Sequence, residues 1–159
     1  MWRNGAHGDL LGAEHEEAVE SGSGGTIRTG GVRLTGEIGG LPGGSTHAIH
    51  IHEKGDCSAA DATSAGGHFN PTSQQHGRRN PAGPHAGDLP NLVVDSSGRG
   101  QLEVSLPADH VATGAGTLFD DDGSAIVVHA NADDEMTNDG PAGPGNSGPR
   151  IACGVIART

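Results

Sequence analysis

Apolar and polar residues alternate with a period of two over much of this chain. Within segments 32–38 and 102–106, valine, leucine and isoleucine alternate with arginine, threonine, glutamate and serine. Two short apolar runs at 126–129 and 151–157 are bounded by Gly, Pro, Asn and Asp. The pattern predicts antiparallel strands joined by turns, and therefore an all-β sandwich or barrel.

Two stretches, 53–90 and 130–149, are too long and too rich in Gly, Pro, Asn and Asp to be ordinary hairpin loops. Loops of this length in a compact domain are usually functional or disordered. The first carries several histidines and one cysteine, and we expect a metal to order it. The second is acidic, and a solvated acidic loop is the alternative interpretation.

The chain has 159 residues, which is enough for one domain with its own core. Residues 1–17 are polar and show no clear period, so we interpret them as a tail or a poorly defined first strand. Residues 18–159 are predicted to form a single domain. No apolar run is long enough for a transmembrane helix, and the first residues lack the apolar core of a signal peptide.

Composition limits both the core and the partners. Hydrophobic residues make up 32% of the chain and Gly numbers 29, so additional staples are expected. Cys57 and Cys153 could form a disulfide that closes a long loop, worth about 4 to 5 kcal/mol, although two unrelated buried thiols remain an alternative. A disulfide would indicate an oxidising compartment. The net charge of -11 argues against nucleic-acid binding, because phosphates need a basic surface.

Six of the ten histidines form one spaced array. His50 and His52 stand two apart on a predicted strand, which places both imidazoles on one face. Neutral imidazoles with one carboxylate suit zinc or copper better than calcium or magnesium. The array predicts two metals, and its other members are His68, His76, His85, Asp88 and His129.

The remaining histidines have plainer interpretations. His7, His15 and His110 are expected at the surface, and His47 is expected to hydrogen-bond the backbone near the strand that follows it. Nucleophilic and phosphate-binding motifs are absent from the sequence: it has no Gly-x-Ser-x-Gly, no His-Glu-x-x-His, no Gly-x-x-x-x-Gly-Lys and no Cys-x-x-Cys.

Several segments resemble the copper/zinc superoxide dismutase family, and their wording is more similar to its bacterial branch. They read HAIHIHEKGDC, SAGGHFNP, HAGDLPN, DGSAIVVH and GNSGPRIACGVI, and the resemblance covers about residues 32–157. It implies a flattened Greek-key antiparallel sandwich or barrel with two long functional loops.

The resemblance also implies a role for each site residue. Copper would be held by His50, His52, His68 and His129, and zinc by His68, His76, His85 and Asp88. His68 would bridge both metals, and Asp133 would link a copper ligand to a zinc ligand. Cys57 and Cys153 would form the family disulfide, and Arg150 would hold the anion beside copper.

The implied activity is conversion of superoxide to dioxygen and hydrogen peroxide by alternate reduction and reoxidation of copper, with Arg150 and His68 as catalytic residues. The alternative is a non-catalytic copper- and zinc-binding protein of the same fold. A homodimer is one possible assembly. A periplasmic or secreted location is expected, while a cytoplasmic one stays open.

The chain departs from the family pattern in two places. The first hairpin is shorter or atypical, because a Gly/Ser segment at 21–25 replaces an expected apolar strand. Segment 130–149 has acids and no Lys or Arg, where relatives place lysines that attract superoxide. Guidance would then come from Arg150, or from Lys54, Arg78 or Arg79, and we expect weaker steering of the substrate.

Overall fold

The structure is a computed structural model that describes residues 7–8, 12–15, 31–107 and 117–158. Regular structure in these residues consists of β-strands and two 3-10 turns, at Thr63–Ala65 and Pro144–Asn146. The prediction of an all-β chain is confirmed. The strands are β1 (His7–Gly8), β2 (Gly12–His15), β3 (Val32–Gly39), β4 (Thr46–His47), β5 (Ile49–His52), β6 (Leu92–Val93), β7 (Gly100–Leu106), β8 (Ala125–His129), β9 (Arg150–Val155) and β10 (Ala157–Arg158).

The described strands form three sheets. In the first, β3 pairs antiparallel with β7 along one edge and with β1 and β2 along the other, and β10 joins β2 in parallel. In the second, β4 pairs with β6. In the third, β8 lies between β5 and β9, and both of its pairings are antiparallel. The predicted antiparallel arrangement therefore holds for every described strand pair except β2 with β10.

Strand β5 divides the apolar core from the polar centre of the molecule. All four of its residues are fully buried. Because successive side chains point to opposite faces of a strand, Ile49 and Ile51 enter the main apolar cluster, while His50 and His52 face away from it. The sequence alternation is therefore the direct cause of a buried histidine face.

Two long connections lie where the sequence predicts them. Residues 53–91 separate β5 from β6, and residues 130–149 separate β8 from β9. The first connection is tied to β9 by the disulfide between Cys57 and Cys153. The predicted disulfide is confirmed, and small apolar residues such as Ala62 and Val127 pack around it.

Some predictions fall outside the described residues. The segment 21–25, His110 and the side chains of His7 and His15 are among them. Strands β1 and β2 lie within 1–17, and the boundary between a tail at 1–17 and a domain at 18–159 stays a prediction. Among the residues that the structure describes, no helix is long and apolar enough to span a membrane.

Candidate metal centre

The histidines of β5 lie at the junction of two adjacent donor groups. One group joins His50 and His52 with His68 and His129, and the other joins His50 and His68 with His76 and Asp88. Within each group, one donor atom per residue lies within 4.8 Å of the others. The first long connection reaches β5 through isolated bridges, which pair His52 with His68 and His50 with Asp88.

Three buried imidazole nitrogens in the first group have no hydrogen-bond partner: His50 Nδ1, His52 Nε2 and His129 Nε2. In each ring the opposite nitrogen is engaged. His52 Nδ1 donates to Gly66 O at 3.0 Å and His129 Nδ1 donates to Gly148 O at 3.0 Å. Because a carbonyl only accepts, each of these Nδ1 atoms carries the proton and each Nε2 presents a lone pair. Such buried lone pairs fit a metal ion, and none of the described residues offers them a hydrogen-bond donor.

The second group is centred on Asp88. Its Oδ1 lies 3.0 Å from His76 Nδ1, 3.2 Å from His68 Nδ1 and 3.2 Å from His85 Nδ1. Ligands of a tetrahedral zinc ion with bonds of about 2.0 Å are separated by about 3.3 Å. His76 Nδ1 has no hydrogen-bond partner despite that short distance, since its geometry is not that of a hydrogen bond. His85 lies outside the second donor group, which His50 completes, but its Nδ1 is close enough to Asp88 and His68 to join His68, His76 and Asp88 around one tetrahedral ion.

His68, like His50, belongs to both groups. Its Nδ1 lies 3.2 Å from Asp88 Oδ1, in the second group, and 3.2 Å from His85 Nδ1. Its Nε2 is the ring atom left for the first group, where the ring centroids of His68 and His50 are 4.2 Å apart. One imidazole can therefore present a nitrogen to each of two ions.

Asp133 contacts His50 and His76 through the Nε2 atom of each ring. One of its oxygens lies 2.6 Å from His50 Nε2, and its carboxylate lies 3.0 Å from His76 Nε2. The side-chain amide of Asn91 holds the backbone of Asp133 in place. Asn91 Oδ1 accepts from Asp133 N at 2.7 Å, and Asn91 Nδ2 donates to Asp133 O at 2.9 Å. Orientation of a ligand through its second nitrogen is typical of metal-binding histidines.

Protonation equilibria favour neutral imidazoles in the first group. Burial, with the nearby histidines, lowers the pKa of His52 to about 2 and of His129 to about 3. Burial likewise lowers the pKa of His68 to about 4, although Asp88 opposes the change. These rings are therefore uncharged near neutral pH, and each has one nitrogen free to bind a metal.

The carboxylates of the site are ionised. Burial alone would raise the pKa of Asp88, but its close contacts with His68, His76 and His85 hold it well below its usual range. Burial would lower the pKa of His76, yet its contacts with Asp133 and Asp88 raise it to about 9. Without a metal, His76 therefore shares its charge with two carboxylates.

A cavity of about 610 Å³ opens beside the first group and is lined by His129, His68 and Arg150. The guanidinium of Arg150 donates from Nη1 to Ala62 O at 2.8 Å and from Nη2 to Gly66 O at 2.7 Å. Burial lowers the pKa of Arg150 below its ordinary value, and the nearby Asp61 opposes the change. The geometry therefore fixes a half-buried cation at the cavity that leads to the histidines.

The other basic residues are placed less favourably for steering. Arg78 Nη1 pairs with Glu135 Oε1 at 3.0 Å. Lys54 lines a separate cavity of about 300 Å³ beside Glu53, Asp120 and Asp122. Neither of them lines the larger cavity, and neither does Arg79.

Sequence reasoning assigned no part to Asn91 or to the carbonyls of Gly66 and Gly148, which orient Asp133, His52 and His129. A backbone carbonyl has no side-chain signature, so only the folded geometry reveals it. His47 serves structure, as expected, because its Nδ1 donates to His129 O at 2.8 Å.

The donor atoms define a class of protein: a β-sheet protein with two adjoining transition-metal sites bridged by the imidazole of His68. The family model described as copper/zinc superoxide dismutase matches residues 19–156. The chain therefore belongs to the copper/zinc superoxide dismutase family, which confirms the resemblance noted in the sequence.

Individual relatives agree with this assignment. "Superoxide dismutase [Cu-Zn] 2" of Aquifex aeolicus is 41% identical over 157 residues, which is 95% of this chain and 85% of that protein. "Extracellular superoxide dismutase [Cu-Zn]" of Caenorhabditis elegans is 39% identical over 127 residues, which is 79% of this chain and 55% of that protein. The crystal structure of a "SOD-like protein" from Bacillus subtilis is similar with a TM-score of 0.72 at 37% identity, covering 91% of this chain and 88% of that one.

Proposed function

We propose that this protein dismutates superoxide, at a copper ion held by His50, His52, His68 and His129 beside a zinc ion held by His68, His76, His85 and Asp88. The observation that carries the proposal is the set of three buried imidazole nitrogens without partners next to the cavity that Arg150 lines. Two superoxide anions and two protons give one dioxygen and one hydrogen peroxide.

Bound copper supplies the redox chemistry by taking an electron from one superoxide and giving one to a second, whereas zinc is redox-inactive and orders its ligands. The residues of the chain prepare this step. The carbonyls of Gly66 and Gly148 hold the protons of His52 and His129 on Nδ1, so that each Nε2 presents a lone pair that would hold copper. The backbone therefore sets the orientation of these two ligands.

Arg150 and His68 act directly on the substrate side in this proposal. The Arg150 guanidinium lines the cavity and attracts a small anion, which favours superoxide over neutral molecules of similar size. When its Nε2 is not engaged by a metal, His68 could hold a proton there and supply it to the product. Its Nδ1 lies beside Asp88 and His85 and would hold zinc.

The finer architecture and the location are part of the proposal. We infer a flattened Greek-key sandwich with an atypical first hairpin, supported by the likeness to the Bacillus subtilis structure and by the two long connections. An extracytoplasmic location is supported by the disulfide between Cys57 and Cys153 and by the name of the Caenorhabditis elegans relative.

A metal-binding protein without catalysis is the competing function, and one experiment separates the two. The chain is loaded with copper and zinc, its metal content is measured, and superoxide consumption is followed after pulse generation. We expect one copper and one zinc per chain and rapid consumption. Full metal content without consumption would overturn the enzymatic proposal while leaving the metal site intact. The variant His129→Gln, which removes one of the proposed copper ligands, should lose copper and activity together.

A further inference from the structure

Asp61 introduces a negative charge into the same cavity that Arg150 lines. Apart from the histidines, these two are the charged residues among the described residues that line it. Asp61 is exposed, whereas Arg150 is half-buried. An anion that approaches the copper group therefore meets a carboxylate and a guanidinium in one opening.

The position of the Asp61 carboxylate is fixed by its own turn. Its Oδ1 accepts from Thr63 N at 3.1 Å and from Thr63 Oγ1 at 2.7 Å. The intervening residue, Ala62, accepts the hydrogen bond from Arg150 Nη1 through its carbonyl. One short turn thus carries the negative charge and also orients the positive one. The Asp61 carboxylate is also the charge that acts on the Arg150 guanidinium.

Arg150 donates to the carbonyls of Ala62 and Gly66 and not to the Asp61 carboxylate. The two charges are therefore not neutralised by a direct hydrogen bond, and they act on an incoming anion with opposite sign. Because Asp61 is exposed, its effect is carried through water and weakens with added salt.

We propose that Asp61 lowers the affinity of the copper site for small anions, superoxide included, by repelling them at the cavity that Arg150 lines. It limits anion binding without touching the metal ligands. The proposal rests on the proposed function for its substrate, but it makes a claim about anion affinity that is measured separately.

The test compares Asp61→Asn with a matched control, Asp95→Asn, in the copper- and zinc-loaded protein. Asparagine keeps the Oδ1 acceptor for Thr63, so the turn is retained while the charge is lost. Asp95 forms the same kind of turn, since its Oδ1 accepts from Ser97 N at 2.8 Å and Ser97 Oγ at 2.7 Å, and it does not line the cavity. Both variants change the net charge equally.

The readout is the dissociation constant of azide, measured by absorption titration of the oxidised copper at low and high ionic strength. We expect Asp61→Asn to tighten azide binding about two- to fivefold at low salt, and Asp95→Asn to leave it unchanged. The gain should shrink at high salt. The rate constant for superoxide should rise by a similar factor.

Two results would overturn the proposal: unchanged azide affinity in Asp61→Asn, or an equal change in both variants, which would show an effect of net charge alone. Tighter azide binding in a protein that never consumes superoxide would refute the proposed function and leave the role of Asp61 standing. If the parent protein consumes superoxide but Asp61→Asn leaves azide affinity unaltered, the proposed function stands and the role of Asp61 is refuted.

Discussion

Asp133 lies between His50 and His76, with one carboxylate 2.6 Å from His50 Nε2 and 3.0 Å from His76 Nε2. Because His50 belongs to both donor groups and His76 to the second alone, a single carboxylate orients a ligand of the first group and a ligand found only in the second. The two metal sites are therefore coupled through a buried side chain as well as through His68.

This coupling predicts the effect of Asp133→Asn. An amide has no charge, and one of its two terminal atoms is an NH2 donor, so it accepts more weakly from the two imidazoles, and both metals should bind about 10- to 100-fold more weakly. Competition with chelators of known affinity measures copper and zinc separately. The exposed Asp121→Asn serves as the control for loss of charge. Weakened binding of one metal alone would contradict the coupling.

Arg150 is expected to act through both its charge and its planar fork. Arg150→Ala should lower the rate constant for superoxide and the affinity for azide by roughly tenfold or more, while copper content stays constant. Arg150→Lys keeps the charge but not the two hydrogen bonds to Ala62 and Gly66. Its rate constant for superoxide and its azide affinity should therefore lie between those of the parent protein and those of Arg150→Ala. A lysine variant equal to the parent would show that charge alone suffices.

The disulfide should contribute strongly to the free energy of unfolding. Cys57 and Cys153 are separated by 96 residues, and closing a loop of that length stabilises the fold by about 4 to 5 kcal/mol through the unfolded state. The double variant Cys57→Ser, Cys153→Ser should therefore unfold at clearly lower denaturant concentration. A reductant should shift the parent protein to the same midpoint and leave the variant unchanged.

Much of this organisation was predictable from the sequence because it rests on side-chain identity and period. The alternation at 32–38 and 102–106 gives buried residues on one face, and Val32 pairs with Leu106 while Leu34 pairs with Val104. The His-Ile-His step likewise fixes a histidine face on β5. The two long connections follow from their composition.

Other features could not be predicted because they depend on contacts between distant backbone atoms. The Gly66 carbonyl accepts from both Arg150 and His52, and no residue type signals such a role. The parallel pairing of β10 with β2 is equally invisible, since both are short and lack an alternating pattern. The placement of Asp61 beside Arg150 also required the folded turn.

Stability of the metal-free protein should depend steeply on pH. Burial lowers the pKa of His52 to about 2, of His129 to about 3 and of His68 to about 4, against an ordinary value of 6.5 in the unfolded chain. Below pH 6.5 the unfolded state therefore binds protons that the folded state does not, and stability falls. The loss reaches up to about 1.4 kcal/mol per pH unit for each of these histidines.

His76 has the opposite sign, because its folded pKa is raised to about 9. Its contribution is fully present below pH 6.5 and is lost as pH rises through about 9. The metal-free protein should thus be most stable close to pH 6.5, as measured by denaturant unfolding at several pH values. A stability maximum near pH 4 would contradict these protonation states. Loading with both metals should flatten the acid side until the ligands compete with protons.

The rate constant for superoxide should depend only weakly on salt. The chain carries a net charge of -11, its acidic segment 130–149 has no Lys or Arg, and Arg78 is paired with Glu135. Attraction by Arg150 is therefore offset by repulsion from the rest of the surface. Raising ionic strength from about 10 mM to about 150 mM screens both effects, so the rate constant for superoxide should change by less than about twofold. A steep fall with salt would reveal effective attraction and refute weak steering, whereas a rise would show that net repulsion dominates.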